Sequence, residues 1–191
     1  MTARKHRRRL LHLGLLLLLA VSLAGNVLAQ GETERRVLVG LKLFPTFLAA
    51  DEGIAAKRGA DGHLPLLLLY SDDKATAEEL AGRLTAVDTV RGIPLEVEVA
   101  PYAALDAYRD RPVGGIFLTQ WVDDGELAAV VRFGIEGQVV VFSPFKGDVK
   151  RGVLAGLFVS DRILPYINMQ TLRETGLQMK PFFLEIAKRH G

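Results

Sequence analysis

Cysteine is absent from this 191-residue chain. That excludes disulfides, a thiolate nucleophile, thiolate metal ligands and a lipid anchor joined through cysteine. Histidine is scarce: only His6, His12, His63 and His190 occur. The first two precede residue 30, so a metal centre or a serine–histidine pair further on would rest on His63 or on His190 near the C-terminal end. Both read as surface histidines. The chain also lacks a Gly-x-Ser-x-Gly elbow, a phosphate-binding loop ending in Lys-Ser/Thr, and a Gly-x-Gly-x-x-Gly turn. These deficits predict a protein with no catalytic residue, no metal site and no cofactor.

What is present starts with a basic segment, Arg4, Lys5, Arg7, Arg8 and Arg9, and an apolar run from Leu10 to Ala24. Val27 and Ala29 then stand where a signal peptidase reads. This layout predicts a signal peptide over residues 1–29, a mature chain from Gln30 and a periplasmic location. An uncleaved anchor is the alternative, although the run is short for a span of about 20 apolar residues. A twin-arginine signal is another, but the usual flanking Ser and Phe are missing. Five of the 24 Lys and Arg residues, and none of the 22 Asp and Glu, lie in that segment. The remainder is therefore mildly acidic, and no nucleic-acid partner is expected.

Residues 30–191 show no repeat, low-complexity tract or long linker, and they predict one domain. Arg36 to Ala50 is strongly apolar but holds Pro45, so a helix broken near Phe44, or a strand followed by a helix, is expected. Leu64 to Tyr70 is an unbroken apolar run, the pattern of a strand covered on both faces. Asp73 is placed to cap a helix with apolar positions at Ala77, Leu80, Ala81 and Leu84. Strands follow at Ile93–Val99, Val113–Thr119 and Gln138–Phe142. Between them, helices are predicted at Tyr102–Arg109 and from a cap at Asp124 to about Phe133. Two strands, Val153–Val159 and Ile163–Ile167, join through a tight polar turn. Helices near Met169–Thr175 and Met179–Arg189 close the chain. The predicted fold is α/β, a mostly parallel sheet with helices on both faces and a C-terminal antiparallel hairpin plus helices.

In such sheets ligands collect at the carboxyl ends of the strands. That edge should carry Asp72 and Asp73 after one strand, Gln120 and Trp121 after a second, and Ser143 after a third. Carboxylates, hydroxyls and an indole together could line a small-molecule pocket. The simpler reading makes Asp73 a helix cap, Asp72 a solvated charge and Trp121 a lid over a strand end. The charged stretch Lys146 to Arg151, with Lys146 and Asp148, could dock a partner or be a solvated turn.

The segment Gly152-Val153-Leu154-Ala155-Gly156-Leu157, then Ile163 to Ile167, then Asn168 to Leu177 and finally Phe182-Phe183-Leu184-Glu185-Ile186-Ala187 resembles the C-terminal part of the YfiR family of bacterial periplasmic proteins. The resemblance is specific over residues 152–187 and extends to the rest by order of elements. Read physically, Asn168 caps a helix and Gly176 supplies a left-handed C-cap. The resemblance implies a regulator that holds a membrane-bound diguanylate cyclase in check. The leading expectation is therefore a non-enzymatic periplasmic domain that binds the outer part of a membrane signalling protein. Phe44 and Phe47 are expected to be exposed and to form that surface, or that of a homodimer. The alternative is a small-solute-binding protein, although a usual two-lobed binder needs two such domains and this chain supplies one.

Overall fold

The computed structural model describes residues 31–191, so the expected signal peptide lies outside the described residues. The chain divides into two units at Arg35/Arg36. Residues 31–35 of the first unit are helical, and all that follows concerns the second.

Its first helix, α1, covers 36–50 and runs through Pro45 without a break. This differs from both expected forms, a helix broken near Phe44 and a strand followed by a helix, which rest on proline removing one backbone bond and crowding the preceding turn. Burial outweighs that cost: Val37, Leu41, Phe44, Phe47 and Leu48 all point into the core. Phe44 and Phe47 are both 0% exposed, which overturns their assignment to a docking surface. Phe44 lies 5.6 Å from Phe117 and 5.9 Å from Phe142, centroid to centroid, and Phe47 lies 5.0 Å from Phe142. Their apolar spacing marks a face, and this face turns inward onto the sheet.

Eight strands form one sheet. They are β1 (Leu64–Tyr70), β2 (Thr89–Val90), β3 (Ile93–Pro101), β4 (Gly115–Leu118), β5 (Val140–Ser143), β6 (Ala155–Val159), β7 (Ile163–Asn168) and β8 (Lys188–His190). The spatial order is β2-β3-β1-β4-β5-β6-β7-β8. From β3 to β6 all neighbours are parallel, and only β2–β3 and β6–β7 run antiparallel. Every side chain from Leu66 to Leu69 is buried, because both faces of β1 are covered. Side chains alternate across a strand. Phe117 and Phe142 pair in register, face α1 and stack at 5.4 Å. Ile116 and Val141 therefore face the opposite layer, where Gly134 of α3 (Asp124–Glu136) packs against Val141. A Cβ on Gly134 would fall 2.5 Å from Val141, so only glycine lets this helix approach so closely.

Helix α2 (Lys74–Thr85) is capped by Asp73, α4 (Met169–Thr175) by Asn168, and Gly176 has the left-handed φ of 68° expected of a C-cap. The cap of α3 is Asp123, one residue before the expected Asp124. The helix expected over Met179–Arg189 shortens to α5 (Pro181–Ile186), and Lys188–His190 turns into β8 beside β7. Two segments expected as a helix and a plain loop form 3-10 turns, at Tyr102–Tyr108 and Asp148–Arg151. Asp51, fully buried after α1, holds Lys57 Nζ at 2.7 Å and the Gly53 N–H at 2.9 Å. Among the described residues no helix is long and apolar enough to cross a membrane.

Candidate functional site

After β1 the chain leaves to β3 on one side, and after β3 it returns across β1 to β4 on the other. The direction of winding thus reverses between β1 and β4. A crevice opens beyond the carboxyl ends of the strands at such a point. The loops after β1 and β4 meet there, and the loop after β5 lies beside them.

Gln120 spans the crevice. Its Oε1 accepts the N–H groups of Ser71, Asp72 and Asp73 at 2.7, 3.2 and 3.2 Å, and its Nε2 donates to Asp72 Oδ1 at 2.6 Å. Three successive N–H groups converging ahead of a helix make a concave donor site, and here an amide oxygen fills it. Thr119 beside it donates its hydroxyl to Leu69 O at 2.8 Å. Asp73 is engaged with α2, accepting from Thr76 N at 2.9 Å and from Thr76 Oγ1 at 2.5 Å. The hydroxyl bond first, then the backbone N–H, holds the Asp73 carboxyl below the usual carboxylate range.

A second network links the loops after β4 and β5 through Arg151. Its Nη1 donates to Asp148 Oδ1 at 2.8 Å, while Nε and Nη2 both reach Asp124 Oδ1, at 2.9 and 2.5 Å. Asp148 is fully buried, and its other oxygen accepts from Ser143 Oγ at 2.6 Å. Ser143 in turn accepts the Phe145 N–H at 3.1 Å. The guanidinium carbon stands 5.6 Å from the centroid of the Trp121 ring, within cation–π range. Burial opposes the charge on Arg151, yet the bonds to Asp124 and Asp148 hold its pKa above the ordinary arginine value.

Trp121 is 62% exposed, whereas the aromatic rings facing α1 are sealed in the core. It stands between the Gln120 clasp and the Arg151 network. Nearby, Tyr102 is buried and donates to Gln120 O at 3.3 Å. Burial, reinforced by the charges of Asp148 and Glu126, raises its pKa far above the phenol value, so it remains a neutral donor. A cavity of about 330 Å³ opens between the Tyr102–Tyr108 turn and α3, bordered by Tyr102, Asp106, Arg109, Glu126 and Arg132.

The structure thus brings Asp72, Asp73, Gln120 and Trp121 to one edge, as the strand pattern anticipates. Ser143 comes to the same end of the sheet but is fully buried, its hydroxyl committed to Asp148. Asp148 is a buried strut, which corrects its placement on a docking loop. Lys146 stays exposed. The sequence pattern gives Asp124 and Tyr102 only places in helices and Arg151 only a place in a charged loop, not parts in this edge. The three-residue spacing of Asp148 and Arg151 was the available signal, since one 3-10 turn brings such a pair together. Among the described residues no group of three or more His, Asp or Glu is placed to hold a metal ion.

No protein-family model matches the chain. No curated protein matches it either. Similar solved structures include a substrate-binding protein with adhesive properties from Clostridium difficile in its ligand-free, open form. It is 13% identical with a TM-score of 0.53, over 79% of this chain and 58% of that one. Another is an ABC domain in complex with L-Trp from Streptococcus pneumonia, 12% identical with a TM-score of 0.51, over 75% of this chain and 61% of that one. At these identities the likeness is one of fold. The chain spans about three fifths of the length of either structure.

Proposed function

We propose that this chain is an exported, non-catalytic solute-binding domain whose site is the carboxyl edge of its parallel strands, around Gln120 and Trp121. The observation that carries the reading is the exposed indole of Trp121 at that edge, backed by Arg151 and flanked by polar loop ends. A large apolar ring left in water beside satisfied polar groups is the surface a small organic molecule covers favourably. The fold shared with two binding proteins supports the same reading. In this reading a second lobe or partner supplies the opposite wall, which the coverage of about three fifths of either similar structure supports. Trp121 is the only tryptophan, so emission reports on the site directly. A screen of amino acids, sugars, organic acids and metal ions should contain a compound that moves the emission saturably and raises the melting temperature. At about 100 times its Kd, such a ligand adds about 2.7 kcal/mol of stability. A screen in which neither signal moves refutes the reading.

A second reading, control of a membrane diguanylate cyclase, follows from the YfiR resemblance. It is favoured by apolar side chains exposed within the segment that carries the resemblance: Phe182 at 70%, Ile186, Val159 and Ile163. Apolar groups on neighbouring elements suit a protein contact. Deleting the gene should then raise cyclic-di-GMP; an unchanged level refutes regulation.

A further inference from the structure

Arg151 is held from two sides that differ in permanence. Asp148 is fully buried, its two oxygens divided between Arg151 and Ser143. Removing it would strand a buried charge, so it stays. Asp124 is the opposite case, with a side chain 94% exposed and only Oδ1 engaged by the guanidinium. Exposed ion pairs contribute little, because water and salt compete for both charges. The outer position on Arg151 is therefore occupied by a carboxylate that another carboxylate can replace at small cost. The displaced Asp124 carboxylate stays tethered at the start of α3 but turns into water, where solvent and salt screen it from the arriving anion. The N-terminus of the 13-residue helix α3, which begins at Asp124, adds partial positive charge at the same spot.

Trp121 completes the arrangement. Its indole lies beside this guanidinium and more than half of it faces solvent. A solute whose carboxylate took the place of Asp124 would have an apolar surface next to its body. A flat ring gains most there, through offset or edge contact with the indole. An isolated anion would use only the guanidinium, and a neutral ring only the indole.

We infer that the solute is an aromatic carboxylate, its carboxylate displacing Asp124 from Arg151 and its ring resting on Trp121. This rests on the solute-binding reading and narrows it. Two charge-assisted hydrogen bonds favour the acid over its amide, which offers the guanidinium one neutral acceptor oxygen.

The test uses three probes of one size on the full chain: phenylacetate, its neutral amide phenylacetamide, and cationic 2-phenylethylamine, followed by Trp121 emission and calorimetry. Phenylacetate should bind about tenfold or more tightly than the amide, and the amine should not bind. Arg151→Gln should abolish binding, but it leaves Asp148 without its cation and can unfold the chain. Asp124→Ala, at an exposed site, therefore decides. It removes the internal competitor and should tighten phenylacetate by about threefold. Equal affinity for acid and amide, or an unchanged affinity for the acid in Asp124→Ala, overturns the inference. If phenylacetate fails while another compound of the wider screen binds, the inference falls alone. If no compound of either set binds, the solute-binding reading falls with it.

Discussion

Phe47 meets Phe183 edge to face, with ring centroids 5.0 Å apart and planes at 75°. This contact joins the first helix of the domain to α5, across 136 residues of chain. Phe47 also touches Phe142 of β5 at 5.0 Å, so one ring clamps a helix, a strand and the C-terminal segment together. Phe47→Ala should lower stability by about 3–5 kcal/mol, read from the urea midpoint. A loss below about 1 kcal/mol would mean that the ring does not hold α1 and α5 to the sheet.

Asp148 serves two partners, so its loss should cost more than its one charge suggests. Asp148→Ala leaves the Ser143 hydroxyl proton without its buried acceptor and one edge of Arg151 without its anion. A destabilisation of about 3 kcal/mol is expected by denaturant titration. Asp148→Asn, which keeps the shape and an acceptor, should lose distinctly less. Equal losses in the two variants would argue against the hydrogen-bonding role.

Gln120→Ala should free the three N–H groups that its amide oxygen accepts. Amide exchange at Ser71, Asp72 and Asp73 should then speed up, while Leu66 to Leu69 in β1 keep their protection. Unaltered exchange at all three loop amides would mean that Gln120 is not what closes the crevice.

Asp73 sets an acid-side prediction. Its folded-state pKa lies below the usual value because Thr76 donates through its hydroxyl and its N–H. A depressed carboxyl contributes stability that is present above about pH 4, the unfolded value, and is lost as pH falls through the lower folded value. Stability measured from pH 5 downward should therefore fall less steeply in Asp73→Asn than in the native chain. Identical slopes would show that the cap does not titrate.

Local chemistry made much of the fold legible. Leu64 to Tyr70 reads as a doubly covered strand because no polar residue interrupts it, and it forms one with those bounds. Asp73, Asn168 and Gly176 act where they stand, because capping depends on only a few neighbouring residues. Long-range decisions were not legible. Pro45 speaks against a continuous helix until Phe44 and Phe47 find Phe117 and Phe142, more than 70 residues away. Their apolar character is plain in the sequence, but whether that face looks inward or outward is settled only by the sheet. Lys188 to His190 lacks every apolar sign of a strand; it is one because β7 offers an open edge.

The candidate site divides in the same way. Strand ends locate Asp72, Gln120 and Trp121, since the alternation of elements fixes which edge they share. What each side chain does there depends on distant partners. Gln120 reaches back 49 residues to Ser71, and Arg151 reaches back 27 to Asp124. Nothing in the local sequence separates a glutamine that awaits a ligand from one already occupied.

The Gln120 clasp carries a mechanical consequence. It ties the loop before α2 to the loop after β4, and the next residue along the chain is the sole indole. A pull that parts the two loops must strain the backbone beneath Trp121. Movement at one bank of the crevice should therefore register in the emission of the indole at the other.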